Sequence, residues 1–325
     1  MPCRCSPYSK TPTLDDLDQV IKDSRVYTHK YEEEIEILKD KYVKAKTDKE
    51  RLAVSRDLFA KYKPFKLDLA YVYAEKKLYL ARKLNYTEDS IYSELDIAGI
   101  FTKTGNYVGA YKILSNMSSH LITEDIRQYY YSLYGSLYEA LRETSVTKDL
   151  RNGYERKRML YRDSLKSLEG NQAAWDKAEF LCSQHKLLNT YRKLSMDDRD
   201  MGYVAYAISD IYRQVNDSEK EKQYLVISAI SDLKNSVKEY ISLRRLATLL
   251  YEEGDVRRAY RYMRKSMEDA TFCNARLRII EVSDALPIID KAYDSMQKTE
   301  RVYIFYGFVL GSVLLFLLGA MVIYT

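Results

Sequence analysis

The stretch AGIFTKTGNYVGA, residues 98–110, reads as the joint between two antiparallel helices. Phe101 belongs to an apolar stripe, Gly105 supplies a left-handed turn, and Tyr107 opens the second helix. Ala110 is short enough to let the two helices lie close together. The same arrangement returns at Tyr212-x3-Asn216-Asp217-Ser218-x2-Glu221 and at Leu250-x3-Gly254-Asp255-Val256-x2-Ala259. The turn positions 105, 216 and 254 lie 111 and 38 residues apart, or three units of 37 and one of 38. An independent signal has the same period. Thr87-Glu88-Asp89, Thr123-Glu124-Asp125 and Ser195-Met196-Asp197-Asp198 each place a hydroxyl before acids, at spacings of 36 and 72. Each reads as a capped helix start whose acids favour the positive end of the helix dipole. A fixed period of this length means stacked helical hairpins.

At these residues the chain resembles a tetratricopeptide repeat array of about six hairpins over 51–272. Leu58, Phe59 and Tyr62 form one apolar stripe, and Ala70, Ala74, Leu78 and Ala81 form the next. Departures are visible. Glu221 stands where the unit wants a small residue, and Trp175 opens a unit of weak pattern. Residues 142–170 break the period with an extended join at 144–153. They also carry a basic cluster at Arg151, Arg156, Lys157, Arg158 and Arg162. That cluster fits either an acidic partner or anionic lipid, or simply a solvated helix face.

Outside the array, residues 1–13 read as disordered, and residues 14–50 carry helical periodicity through Leu14, Leu17, Val20, Ile21, Ile35, Leu38 and Tyr42. Residues 273–301 read as an amphipathic capping and juxtamembrane helix with Pro287 near its middle. Ile279, Ile280, Val282, Leu286, Ile289 and Tyr293 are placed to cover the open end of the solenoid. Residues 302–324, VYIFYGFVLGSVLLFLLGAMVIY, hold no charge. As a helix they extend roughly 35 Å, enough to cross a hydrocarbon core of about 30 Å. Tyr303, Tyr306 and Tyr324 sit near the ends, where amphipathic rings prefer the headgroup layer. The expected fold is therefore all-α: a tetratricopeptide-like α-solenoid followed by a single C-terminal transmembrane helix in lipid.

Charged residues make up 30% of the chain, mixed in sign with a net +5, which describes a solvated helical surface better than a nucleic-acid footprint. Neither a metal-ligand spacing nor a disulfide framework joins Cys3, Cys5, Cys182 and Cys273. His29, His120 and His185 are isolated, and no nucleophile, zinc or phosphate-loop motif is present. The sequence points to no enzyme and no cofactor. Its most unusual feature is 32 tyrosines, with Tyr129, Tyr130, Tyr131, Tyr134 and Tyr138 on one helix. Tyr130, Tyr134, Tyr138, Arg156 and Arg158 are candidates for a recognition surface binding a protein or peptide; interhelix packing explains the tyrosines equally simply. In the apolar segment, Gly307-x3-Gly311 fits self-association of two spans, and also the ordinary abundance of glycine in such helices.

LDDLDQVI, KYEEEIEILK, LFAKYKPFKLDLAYVYAEKKLYLARKL and above all ARLRIIEVSDALPIIDKAY carry a second resemblance. Through them the chain is similar to a Bacteroidetes family of membrane regulators of unknown function. That resemblance implies an export signal, a periplasmic tetratricopeptide sensor, one membrane helix, a cytoplasmic coiled coil and a LuxR-type DNA-binding domain. The opening MPCRCSPYSKTPT has no apolar core of a signal peptide, and the sequence stops at Thr325, so the DNA-binding output is expected only in a longer parent. Two readings follow. One is a membrane-anchored periplasmic sensor; the other is a tail-anchored cytosolic adaptor.

Overall fold

The computed structural model describes residues 11–118, 122–168 and 186–324. Among them the regular structure is helical, without strands. Two helices, α1 (Leu14–Lys22) and α2 (Ser24–Lys44), precede the hairpins. The hairpins are α3 (Asp48–Tyr62) with α4 (Leu67–Lys83), α5 (Thr87–Thr104) with α6 (Tyr107–Asn116), and α7 (Glu124–Glu143) with α8 (Lys148–Leu168). They continue as α9 (Arg199–Gln214) with α10 (Ser218–Lys234) and α11 (Ser242–Glu252) with α12 (Val256–Cys273). One 49-residue helix, α13 (Arg276–Tyr324), ends the described chain and passes through Pro287 unbroken. The weak unit at Trp175, together with His120, His185, Cys3, Cys5 and Cys182, lies outside the described residues.

The three turn positions read from the sequence all adopt the left-handed conformation: Gly105 at φ 87°, Asn216 at 57° and Gly254 at 91°. Behind them Ala110 and Ala259 are fully buried, as close helix approach requires. Glycine is needed at Gly105 twice over, since a β-carbon there would also sit 2.5 Å from Cδ of Arg276. Asn85, Ser236 and Asn274 are left-handed as well, and they close α4, α10 and α12, so the same device recurs between hairpins.

Several local expectations are corrected. The join expected at 144–153 is only 144–147, because α8 starts at Lys148 and carries Gly153 inside it. The periodic segment 14–50 is two helices broken at Asp23, plus the start of α3. Helices do begin at the predicted acids, but neither Thr87 nor Thr123 accepts a capping bond. Near Ser195 the bond runs the other way, from its backbone N–H to Asp198. Full capping boxes occur instead at Thr13 with Asp16 and Thr47 with Glu50, where side chain and backbone satisfy each other's orphan donors.

The array curls until its start touches its end. Leu17 and Val20 of α1 are buried with α10–α13 residues including Leu225, Leu246, Tyr262, Val282 and Ile289. Cys273, which ends α12, and Ala275, just before α13, are buried in the core of the first hairpin with Leu58, Phe65 and Ala74. Lys238 N–H donates to Pro64 O at 2.8 Å, Asn274 Nδ2 donates to Asp68 at 2.8 Å, and Phe65 meets Phe272 edge-on. The root of α13 is thus held by the first hairpin as well as by α12. Burial pushes the Cys273 thiol up to about 12, which leaves it inert at neutral pH.

Residues 302–321 are exposed along their whole length. Ile304, Phe308, Leu315 and Phe316 are each more than 70% exposed. Helix α13 is the one helix among the described residues that is long and apolar enough to cross a membrane.

Candidate functional site: a charged groove walled by the juxtamembrane helix

The first helices of successive hairpins, α5, α7, α9 and α11, line the inside of the curl, and the first turns of α13 complete it. Between them lies a cavity of about 880 Å³, in the size range of ligand sites. Its walls carry six cations (Lys103, Arg142, Arg213, Arg244, Arg245, Arg278) and five carboxylates (Glu139, Glu143, Glu221, Glu252, Glu281).

Most of this charge is paired internally. Arg245 reaches Glu221, and also Asp210 at 3.2 Å; both Arg245 and Glu221 are nearly buried. This explains the unit that broke the small-residue rule: Glu221 occupies the place of an alanine because Arg245 comes in to neutralise it. Arg142 meets Glu143 and lies 3.4 Å from Glu155. Lys103 crosses to Glu239. At the α13 wall the pairing is incomplete. Arg278 Nη1 donates to both oxygens of Glu281, at 2.7 and 2.6 Å. Arg244 reaches the same carboxylate only through Nη2 at 3.4 Å. Its Nε is buried with no hydrogen-bond partner, as is Nε of Arg142.

The recognition residues expected from the sequence lie elsewhere. Tyr134 and Tyr138 are 5% exposed and stack with Tyr161 of α8, at 4.4 and 5.8 Å between ring centroids. They fill the space between α7 and α8, and burial pushes the Tyr138 hydroxyl up to about 12. For these two rings the expected recognition surface gives way to packing. Tyr130 is half-buried and donates to Leu114 O at 3.0 Å. Arg158 forms a two-pronged bond to Glu155 at 2.9 and 2.7 Å, and Arg156 is exposed on α8. None of the five lines the groove. Gly307 and Gly311 face open space, with nothing within 4 Å of an added β-carbon. Sequence reasoning missed the groove residues. The usable signal was Arg244-Arg245 with Arg278, basic positions on the first helices of their units.

A half-buried acid lies close behind the groove. Asp232 of α10 accepts from Ser242 Oγ at 3.1 Å and Ser228 Oγ at 3.4 Å, and a β-carbon on Gly202 would run into it. Loss of water pushes this carboxyl up to about 7, more than the serine hydroxyls lower it. Because the folded state then binds the proton more tightly, this group's stability contribution is full below the unfolded value of about 4 and lost as pH rises through about 7. The ceiling is about 4 kcal/mol, reduced by the water that still reaches it. Asp232→Asn should therefore melt close to wild type at pH 4 and higher than wild type at pH 8. Equal melting shifts at both pH values would remove the assignment.

Stacked helical hairpins, three of them turned at a left-handed residue (Gly105, Asn216, Gly254), define a tetratricopeptide-type repeat protein. More narrowly, residues 21–284 match the family described as the SusR N-terminal TPR domain, and the chain belongs to that family. No curated protein matches it. The match runs from α1 into the first turns of α13 and so contains every groove-lining residue. Domains of this type generally bind proteins or peptides and are typically non-catalytic. Among the described residues no group of histidine, cysteine and carboxylate side chains is placed to hold a metal.

Proposed function

We propose that this chain is the ligand-binding and membrane-spanning part of a signal-transducing protein, with the repeat groove as sensor and α13 as transmitter. One observation carries the reading. Leu277, Arg278 and Glu281, which wall the groove, stand on the same unbroken helix that becomes the apolar run 302–324. A partner seated in the groove touches that helix directly, so it need not act through a chain of intermediates. The helix is braced for the task. Tyr293 stacks on Tyr260 at 4.1 Å, and Glu300 pairs with Arg257 at 2.5 Å, so α13 is held against α12 down to the first apolar residues. The exposed run is covered by lipid, since so much apolar surface in water would drive aggregation. Gly307 and Gly311 form the face on which two spans of a homodimer meet. The repeat region lies on the periplasmic side.

A membrane-anchored cytosolic adaptor is the second reading, because the charges flanking the apolar run, Lys298 and Arg301 against Asp294 and Glu300, set no orientation. Carbonate-washed membranes should retain the chain and release one ending at residue 301. Trypsin added to spheroplasts should cleave the repeat region. Release of the full chain by carbonate would overturn the anchor; protection from trypsin would replace the sensor with the adaptor.

A further inference from the structure

Outside the groove lies a second concentration of charge, and there the signs do not balance. A cavity of about 400 Å³ opens between α12 and the junction of α1 with α2, and none of its residues lines the groove. Its walls carry five cations, Lys22, Arg25, Arg261, Arg264 and Lys265, against one carboxylate, Glu268. Neither the Lys22 nor the Arg25 side chain has a partner among the described residues. Arg264 reaches Glu268 only at 3.5 Å, with both side chains more than half exposed, and Arg261 turns to Asp18 at 3.1 Å. Lys265 is different, being only 15% exposed. It donates to Asp269 Oδ1 at 3.0 Å, yet Lys238 Nζ stands 3.2 Å from the same oxygen, and Tyr240 donates to the other. One buried carboxylate thus serves two ammonium groups and a phenol, which leaves surplus positive charge beneath the cavity. Loss of water already holds the Lys238 ammonium below the usual lysine range, against the pull of Asp269.

We propose that this cavity seats the phosphate group of a soluble small molecule, with Lys265 at its floor and Lys22, Arg25 and Arg264 around its mouth. Cations on opposite walls suit a tetrahedral dianion, whose three terminal oxygens accept from different directions; a planar carboxylate offers two. Height above the membrane separates a free phosphate from a lipid's. Tyr260, on the rim, stacks on Tyr293, nine residues and so about 13 Å before the apolar run begins. The headgroup layer is only roughly 5–8 Å deep. The ligand bridges the seam where the array meets itself, since Lys22 and Arg25 belong to α1 and α2 and the other two to α12. It therefore favours the closed curl by mass action, because the seat exists only when both walls are in place. None of this depends on the groove being a sensor.

Calorimetric titration of pyrophosphate into the full chain in phosphatidylcholine nanodiscs, with ionic strength held by sodium chloride, tests this. Affinity should fall about tenfold in Lys265→Met and about threefold in Arg264→Met, and stay within about twofold in Arg156→Met, outside the cavity. Glu268→Gln should bind about threefold more tightly, because it removes the one carboxylate that repels the ligand. Damaged folding cannot mimic that gain. Bound pyrophosphate should also slow trypsin cleavage after Lys22 and Arg25. No binding, an affinity indifferent to Lys265→Met, or a loss in Glu268→Gln would each overturn the phosphate seat. Protection of the Lys22 and Arg25 bonds in phosphatidylglycerol discs without pyrophosphate, absent in phosphatidylcholine discs, would overturn the soluble source in favour of a lipid headgroup.

Discussion

Asp96→Ala should destabilise the repeat domain by about 3–5 kcal/mol, the cost of stranding a buried charge. Asp96 of α5 gathers groups from three other elements. Lys77 Nζ of α4 donates to it at 2.5 Å, Tyr129 Oη of α7 donates at 2.9 Å, and Lys63 at the end of α3 stands at 3.7 Å. The Lys77 and Asp96 side chains are only 9% and 10% exposed. Lys77 also sits 4.1 Å over the Phe59 ring, which could not replace the lost carboxylate as its counter-ion. Burial already holds the Lys63 ammonium below the usual lysine range, and Asp96 is the nearest charge opposing that effect. The alanine variant therefore leaves the Lys77 ammonium and the Tyr129 phenol without their acceptor and takes a counter-charge from Lys63, which keeps its bond to Tyr129 Oη at 3.3 Å. Replacing both buried partners, as in Lys77→Met with Asp96→Leu, should cost less than Asp96→Ala, because only the Tyr129 hydroxyl and the partly exposed Lys63 are then left without Asp96. Urea denaturation of the three proteins distinguishes the cases. A loss below about 1 kcal/mol for Asp96→Ala would mean that water reaches the cluster freely.

The residues of this cluster also mark where sequence reading stops. Gly105, Asn216 and Gly254 were legible because a left-handed turn is a local requirement that recurs with the unit. Ala110 and Ala259 were legible for the same reason, as was the apolar run of α13. Asn85, Ser236 and Asn274 make the same turn between hairpins, yet no fixed neighbour pattern announces them. Thr87 and Thr123 resemble caps but make no capping bond, whereas Thr13 and Thr47 do, each with a carboxylate three residues on. Periodicity reports which helices are neighbours along the chain; it does not report the rotation from one hairpin to the next. Summed over the array, that rotation sets how far the curl closes. It decides that Lys103 meets Glu239, that Tyr31 meets Arg199, and that Arg244 shares Glu281. The groove is a product of this summed rotation, so Arg244, Arg245 and Arg278 were readable as basic positions but not as neighbours.

Closure itself makes the second large prediction. Tyr262 of α12 is fully buried, and its hydroxyl donates to Asp18 of α1 at 2.7 Å. Arg258 Nε donates to the same carboxylate at 3.0 Å and Arg261 at 3.1 Å, while Leu17 and Val20 enter the core beside it. Residues some 240 positions apart are thereby held together, and α1 becomes a strap across the last repeats. Tyr262→Ala removes the ring that both halves pack on and should cost about 4 kcal/mol, as aromatic truncations in cores do. Tyr262→Phe keeps the ring and leaves Asp18 its two arginines, so it should cost about 1 kcal/mol. Limited trypsin digestion gives the structural reading. In Tyr262→Ala, cleavage after Lys22 and Arg25 should accelerate before the repeats are cut, because α1 leaves its seat first. In Tyr262→Phe the pattern should match wild type. The physical basis is that loop closure over so many residues is costly in entropy, and the seat of α1 on α12 offsets it together with the contacts of Phe272, Cys273 and Ala275 to the first hairpin. A repeat array without that seat would still stack hairpin on hairpin. Uniform cleavage along the chain in Tyr262→Ala would instead mean that α1 and the last repeats unfold as one unit, and that the strap cannot open alone.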